Sequence, residues 1–156
     1  MCHTIQISIR AVCPDDIAAI AALESAISNN PWRANAFSDM LRSNDSLHAA
    51  AMTDSNTVAG YVCGRQAADE CEIYKLAVDE KHRRQGIAEK LLRHIEDSAR
   101  TGKLTAIYLE VAESNTAALS LYTKLGYERC GLRKGYYAAT GEAAVCMRRN
   151  IDFGMR

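Results

Sequence analysis

The chain has little proline: only Pro14 and Pro31 occur in 156 residues, and no Gly/Ser-rich tract separates them from the rest. Without a linker, an internal repeat or a low-complexity stretch, one domain over residues 1–156 is the economical expectation. Net charge is missing too, because 19 Lys and Arg balance 19 Asp and Glu. That balance excludes a polybasic nucleic-acid binder and an acidic disordered tail. No apolar run approaches membrane-spanning length, so no membrane association is expected. Residues 1–12 alternate in polarity and lack the apolar centre of a signal peptide, so the expected compartment is the cytoplasm. The six cysteines (Cys2, Cys13, Cys63, Cys71, Cys130 and Cys146) contain no C-x-x-C. They are therefore expected as free or buried thiols. His3, His48, His82 and His94 show no ligand spacing, and no metal is assigned. Neither G-x-x-x-x-G-K-[ST] nor G-x-G-x-x-G occurs, which leaves a P-loop or dinucleotide site unsupported.

What is present is an average globular composition, 48% hydrophobic and 24% charged, in a length that can bury a real core. The zero net charge is a sum of unlike parts. Residues 1–80 hold 5 basic and 11 acidic side chains, whereas residues 81–156 hold 14 and 8. The second half is where an anion would be welcome.

Alternation of Ile5, Ile7 and Ile9 with polar residues predicts a first strand. Pro14-Asp15-Asp16 opens a helix with Ile17, Ile20 and Ile27 on one face, and a second short helix follows Pro31 with Trp32, Phe37, Met40 and Leu41. Strands are expected over 47–52, 57–66 and 70–78, with turn signals at 54–56 and 67–69. The period then changes: Ile87, Leu91, Ile95 and Ala99 form a helical stripe ending near Gly102. Residues 104–111 read as a strand. Ala118, Leu121, Tyr122 and Leu125 mark a helix stopped by Gly126 in the C′ position. Residues 127–133 and 142–149 complete the chain as strands joined around Tyr136-Tyr137 and Gly141. The order β-α-α-β-β-β-α-β-α-β-β places hairpins before a β-α-β crossover. It predicts a mixed, mostly antiparallel sheet flanked by helices, in the α/β or α+β class.

The strongest local signal is Lys81-His82-Arg83-Arg84-Gln85-Gly86-Ile87-Ala88, between a strand and the amphipathic helix. Three cations just before a helix N-terminus lie at the end that already carries partial positive charge and unpaired N–H groups. The two features agree if an anion docks there, with Gly86 letting the backbone approach it and small Ala88 leaving the next N–H accessible. A solvated basic loop is the plain alternative. A helix that read a nucleic-acid groove would instead carry its cations along one face, and direct nucleic-acid binding is not expected.

Glu110 ends an apolar strand, where a buried carboxylate can serve as a general base, although a strand-end Glu can equally face solvent. Asn115 is equally a helix N-cap. Tyr122, on the apolar face of its helix, is by default a core tyrosine.

These spacings, a basic loop with Gly86 opening a helix followed by Asn115-x-x-Ala118-x-x-Leu121-Tyr122-x-x-x-Gly126-Tyr127, resemble the GNAT family of N-acetyltransferases over nearly the whole chain. The resemblance implies acetyl-CoA as co-substrate. Its pyrophosphate would be held by Arg83, Arg84, Gln85, Gly86, Ile87, Ala88 and Glu89, and its pantetheine arm by the backbone of Leu76, Ala77 and Val78. The family's Asn matches Asn115. Asn30-Pro31-Trp32, Leu109-Glu110-Val111 and Arg133-x-x-Tyr136-Tyr137 look most like the ribosomal-protein-alanine N-acetyltransferases of the RimI type. This implies acetylation of the N-terminal alanine of a small-subunit ribosomal protein, with Glu110 as base and Tyr122 as acid. Trp32, Tyr136 and Tyr137 would then line the acceptor side, or else pack the second helix and terminal strands. Ala88 stands in place of a more usual third glycine, and Ala112 where an Arg often follows L-E-V. The other readings are an acetyltransferase for a small amine or a lysine side chain, and a coenzyme A-binding sensor without catalysis.

Overall fold

A computed structural model of the chain describes residues 4–154; Cys2 and His3 lie outside this range. Seven strands and four helices follow the expected order. They are β1 Ile7–Arg10, α1 Ile17–Ile27, α2 Ala34–Arg42, β2 Ser46–Thr53, β3 Val58–Ala67, β4 Glu70–Val78, α3 Ile87–Thr101, β5 Ala106–Ala112, α4 Thr116–Lys124, β6 Glu128–Tyr137 and β7 Glu142–Asn150. The strands join in the order β1-β2-β3-β4-β5-β7-β6, a mostly antiparallel sheet in which β4 and β5 run parallel. Among the described residues no helix is long and apolar enough to cross a membrane. Cys13, Cys63, Cys71, Cys130 and Cys146 are free thiols.

Backbone contacts group into two units, one of Met1–Arg65 with Lys75–Ile95 and one of Gln66–Tyr74 with Glu96–Arg156. In the first, β1 pairs antiparallel with β2 from Ile7↔Thr53, and β2 pairs antiparallel with β3 around a register shift at Ala51/Met52. Ala49, Ala50 and Ala51 are fully buried, small enough for the sheet to be covered closely. Ile17, Ile20, Phe37, Met40, Tyr61 and Cys63 form the core. In the second, β4 and β5 pair in parallel over Glu70–Ile73 and Ala106–Leu109, and β5 and β6 both pair antiparallel with β7. Ile107, Leu109 and Val111 point into the core with Val145 and Met147, while Tyr108, Glu110 and Ala112 on the other face of β5 are half-buried.

The departures from expectation have physical causes. Pro14–Asp16 forms a single 3-10 turn and α1 starts at Ile17. The Asp16 carboxylate is engaged there by both guanidinium nitrogens of Arg10, at 2.7 and 2.9 Å, and by the Cys13 N–H at 2.8 Å. Ile27, expected on the apolar face of α1, is exposed, and Glu24 takes the buried position one turn earlier. Trp32 precedes α2, because the helix begins at Ala34. The last hairpin turns later than expected, so Tyr136 and Tyr137 are the final residues of β6.

Candidate active site

The basic loop belongs to the first unit. Leu76, Ala77 and Val78 are half-buried at the end of β4, and a short 3-10 turn over Glu80–His82 follows, capped by the Asp79 carboxylate accepting from the Lys81 N–H at 3.1 Å. Arg83 folds back and its Nε donates to the Val78 carbonyl at 3.2 Å, so this guanidinium braces the loop against the strand that precedes it. Arg84 and Gly86 both sit in left-handed backbone, at φ 63° and 74°, which turns the chain sharply into α3. The helix ladder opens with the Lys90 N–H donating to the Gly86 carbonyl at 3.1 Å. The N–H groups of the first turn therefore have no acceptor inside the helix.

A Cβ built on Gly86 would meet no atom within 4 Å, so the space above these amides is open. Lys81, Arg84 and Gln85 are exposed around it. Open space, free-ended amides and cations fit a diphosphate group. Ile87 is buried, so only its backbone N–H can serve a ligand. Glu89 is half-buried, with its carboxylate 2.9 Å from Arg93. Gly60 on β3 explains how the loop is seated. A Cβ there would lie 2.8 Å from the Ala77 carbonyl and 3.4 Å from Ile87, so only glycine lets β3 pass this close beneath β4 and the start of α3.

Trp32 also lies in the first unit. Its ring packs against Phe37 with centroids 5.4 Å apart, and Lys75 Nζ lies 5.6 Å from its centroid. Its backbone N–H donates to Glu24 Oε2 at 3.2 Å. Sequence reasoning missed Glu24 and Lys75, whose pairing across 51 positions is invisible to periodicity.

The second unit gathers Glu110, Tyr136, Tyr137 and Tyr122. The Glu110 side chain is 15% exposed, and Arg133 Nε lies 3.0 Å from its Oε1. Glu110 is thus half-buried and held by a guanidinium, which in turn lies 5.7 Å from the Tyr136 ring centroid. Tyr136 is exposed, and the Glu110 carboxylate, with burial second, holds its hydroxyl above the usual tyrosine range. Tyr137 stacks edge-on against it at 5.1 Å, its own hydroxyl raised first by burial and then by Tyr136 and Glu110. Cys146, opposite Glu110 on β7, places its Sγ 3.8 Å from Oε1.

Tyr122 is buried on α4 and packs against Tyr127 at 5.7 Å between centroids. Burial, with Tyr137 second, pushes its hydroxyl up to about 12, so it is fully protonated at neutral pH. Asn115 caps α4, its Oδ1 accepting from the Ala118 N–H at 3.2 Å, which leaves its amide NH₂ for other work. The far end of α4 is closed by Gly126, at φ 92°. A Cβ at this position would overlap the Arg149 guanidinium, which donates to the Leu125 carbonyl and lies 3.2 Å from Glu96.

Comparison with known proteins gives this geometry a context. Residues 17–127 match the model of the Acetyltransferase (GNAT) family. An uncharacterized protein of Mycobacterium leprae is 38% identical over 152 residues, 94% of this chain but 41% of that protein, so the chain spans less than half of that relative's length. The N-alpha-acetyltransferase RimI of Mycobacterium tuberculosis is 35% identical over 150 residues, 92% of this chain and 92% of the relative. Among solved structures, the ribosomal-protein-S18-alanine N-acetyltransferase from Escherichia coli matches with a TM-score of 0.87 at 26% identity, covering 96% of each chain. The chain belongs to the GNAT family and is an acetyl-CoA-dependent N-acetyltransferase.

Proposed function

We propose that this chain acetylates the α-amine of a protein N-terminus, the acceptor being the N-terminal alanine of a small-subunit ribosomal protein in the cytoplasm. The observation that carries this reading is the Glu110 carboxylate with the hydroxyl and ring of exposed Tyr136 and the side of Tyr137 around it. A carboxylate and aromatic faces both attract a cation; the exposed Arg133 guanidinium takes that place here, and an acceptor ammonium would have to displace it or share the carboxylate with it. The RimI relatives supply the substrate class. We take residues 1–156 as one acetyltransferase domain, since the family match runs through both units.

In this reading the N–H groups of Ile87 and Ala88, with Arg84 and Lys81, hold the diphosphate, and Arg83, Gln85 and Glu89 shape the loop that presents them. The backbone of Leu76, Ala77 and Val78 aligns the pantetheine arm, and one of its N–H groups steadies the carbonyl oxygen as negative charge builds there. The Asn115 amide adds a donor toward the same arm. Glu110 takes the proton of the acceptor ammonium, and the freed nitrogen attacks the thioester carbon. The new C–N bond forms, the C–S bond breaks and the Tyr122 hydroxyl delivers a proton to the departing sulfur, while the second proton shed by the now amide nitrogen returns to the Tyr122 phenolate. Acid–base help of this kind contributes about 10²–10⁴-fold. Alignment of the two substrates supplies much of the rest.

The test is an acetyl-transfer assay over peptides that differ in their first residue, with lysine-containing blocked peptides and polyamines as controls. Transfer to free N-terminal Ala or Ser, and none to blocked peptides, is the expected result. Preference for a polyamine would replace the acceptor while leaving the co-substrate in place.

A further inference from the structure

The titratable groups that this mechanism leaves unused meet behind Trp32. Glu24, in the middle of α1, is only 3% exposed, yet its Oε2 lies 3.3 Å from Lys75 Nζ. The same oxygen accepts the Trp32 N–H at 3.2 Å. Lys75, with a side chain 19% exposed, donates to the Asn30 carbonyl at 3.3 Å and faces the Trp32 ring. Tyr61 and Cys63 of β3 look onto the same carboxylate, whose charge adds to burial in holding both above their usual ranges.

A buried ion pair is a poor way to stabilise a core. Desolvating two charges opposes folding, and well-packed apolar residues of similar volume often stabilise a core as well or better. Ile27, one turn further along α1, is left exposed while Glu24 occupies the inward position. What the pair does accomplish is local. Two charges together engage the backbone N–H of Trp32, the carbonyl of Asn30 and the face of the indole, so the segment 30–32 is tied to α1 and β4 at both ends.

We propose that Glu24 and Lys75 are positioning residues for acceptor recognition, holding the Asn30–Trp32 segment so that Trp32 meets the first residues of the acceptor peptide. The proposal rests on the reading above that Trp32 lines the acceptor side. Neither side chain touches the reacting atoms. Lys75 immediately precedes Leu76, Ala77 and Val78, so the strand that aligns the co-substrate also carries the anchor of the acceptor segment.

Trp32 is the only tryptophan in the chain, and its fluorescence reports on this segment alone. The experiment combines peptide titrations of that fluorescence with steady-state kinetics of the E24Q/K75M double variant, which removes both charges and leaves neither unpaired. The expected result is a peptide-dependent change in emission in the unsubstituted protein. In the double variant the peptide KM should rise about tenfold or more, the loss of one hydrogen bond to a charged group. KM for acetyl-CoA and kcat should stay within twofold. If the peptide saturates the enzyme without altering the emission, Trp32 does not face the acceptor, and the reading beneath the proposal fails. If emission responds but the double variant keeps its peptide KM, the positioning role fails while Trp32 remains an acceptor residue. Lys75→Met alone, which removes the contacts to the Asn30 carbonyl and the indole face, gives the same split if the double variant does not fold: a raised peptide KM supports the role, and an unchanged one overturns it.

Discussion

Arg133 Nε approaches Glu110 Oε1 to 3.0 Å, from a side chain that is 61% exposed to one that is 15% exposed. Exposed ion pairs of this kind contribute about 0–1 kcal/mol to stability. Their geometric effect is separate, because the guanidinium fixes which way the carboxylate faces. Arg133→Gln should leave the melting temperature within a degree or two and lower kcat/KM on the order of tenfold, by misdirecting the carboxylate proposed as the base. Glu110→Gln should cost more, about 10²–10⁴-fold in kcat, with acetyl-CoA affinity retained. Calorimetric binding of acetyl-CoA alongside the kinetics separates the two effects.

Tyr122→Phe keeps the ring contact with Tyr127 and removes only the hydroxyl. The variant should therefore fold normally and transfer acetyl about 10²-fold more slowly, the lower range of acid catalysis. Single-turnover rates measured with acetyl-CoA preloaded isolate this step. A wild-type rate would return Tyr122 to a packing role.

At alkaline pH the buried hydroxyls and thiols set the limit of stability. Tyr122 and Cys71 are both pushed up to about 12, chiefly by burial. In the unfolded chain they ionise near their ordinary values of about 10 and 8.5. Raised groups contribute stability that is fully present below the unfolded values and lost as pH rises through the folded ones. Urea midpoints should thus hold steady up to about pH 8 and fall progressively from there toward pH 12. Tyr122→Phe should soften the part of that fall above pH 10.

The acid limb has a different origin. Hydrogen bonds from Arg10, then from the Cys13 backbone, hold the Asp16 carboxyl below the usual range against the opposing effect of burial. A depressed carboxylate contributes stability above its unfolded pKa and loses it as pH falls through the folded one. Asp16→Asn should destabilise by about 1–3 kcal/mol at pH 7, the loss of hydrogen bonds to a charged group. The difference from the unsubstituted protein should shrink below pH 4. Denaturation midpoints at the two pH values check it.

Two glycines near the loop that opens α3 should differ in how their effects divide between stability and co-substrate affinity. Gly60→Ala places a methyl 2.8 Å from the Ala77 carbonyl and must push β3 and β4 apart beneath the loop. KM for acetyl-CoA should rise about tenfold, with the melting temperature lowered as well. Gly86→Ala meets open space, and its cost comes from left-handed backbone, on the order of 1 kcal/mol. Its methyl projects into the space where the diphosphate is proposed to sit, so its effect should fall on co-substrate affinity more than on stability.

The order of elements was legible because each carries its own period. Alternation runs through Ile7 and Ile9, a 3.6-residue stripe through Ile87, Leu91 and Ile95, and Gly126 stops α4 where a C′ glycine should. The loop from Lys81 to Ala88 stood out because its cations precede a helix end that already carries partial positive charge. What was not legible depends on distant partners. Nothing local marks Glu24 as buried, since a charged residue inside an apolar stripe reads as an interruption until Lys75 is brought to it. The guanidinium partner of Glu110 is likewise 23 positions downstream, on an edge strand whose side chains are nearly all exposed. Pro14–Asp16 looked like the first turn of a helix because Pro followed by acidic residues suits either an α or a 3-10 start. In the fold Asp16 closes the 3-10 turn, with its carboxylate held by Arg10 and the Cys13 N–H.

Gly126 illustrates how one glycine can answer to two masters. Its left-handed backbone ends α4, and the volume its missing Cβ leaves is filled by the Arg149 guanidinium, itself beside buried Glu96. Positions 126 and 149 should therefore be epistatic. A side chain at 126 in the presence of Arg149 meets both steric overlap and backbone strain, whereas in a chain already carrying Arg149→Ala only the strain remains. The second substitution would suppress part of the first, and the two together should be less damaging than their separate effects would sum to.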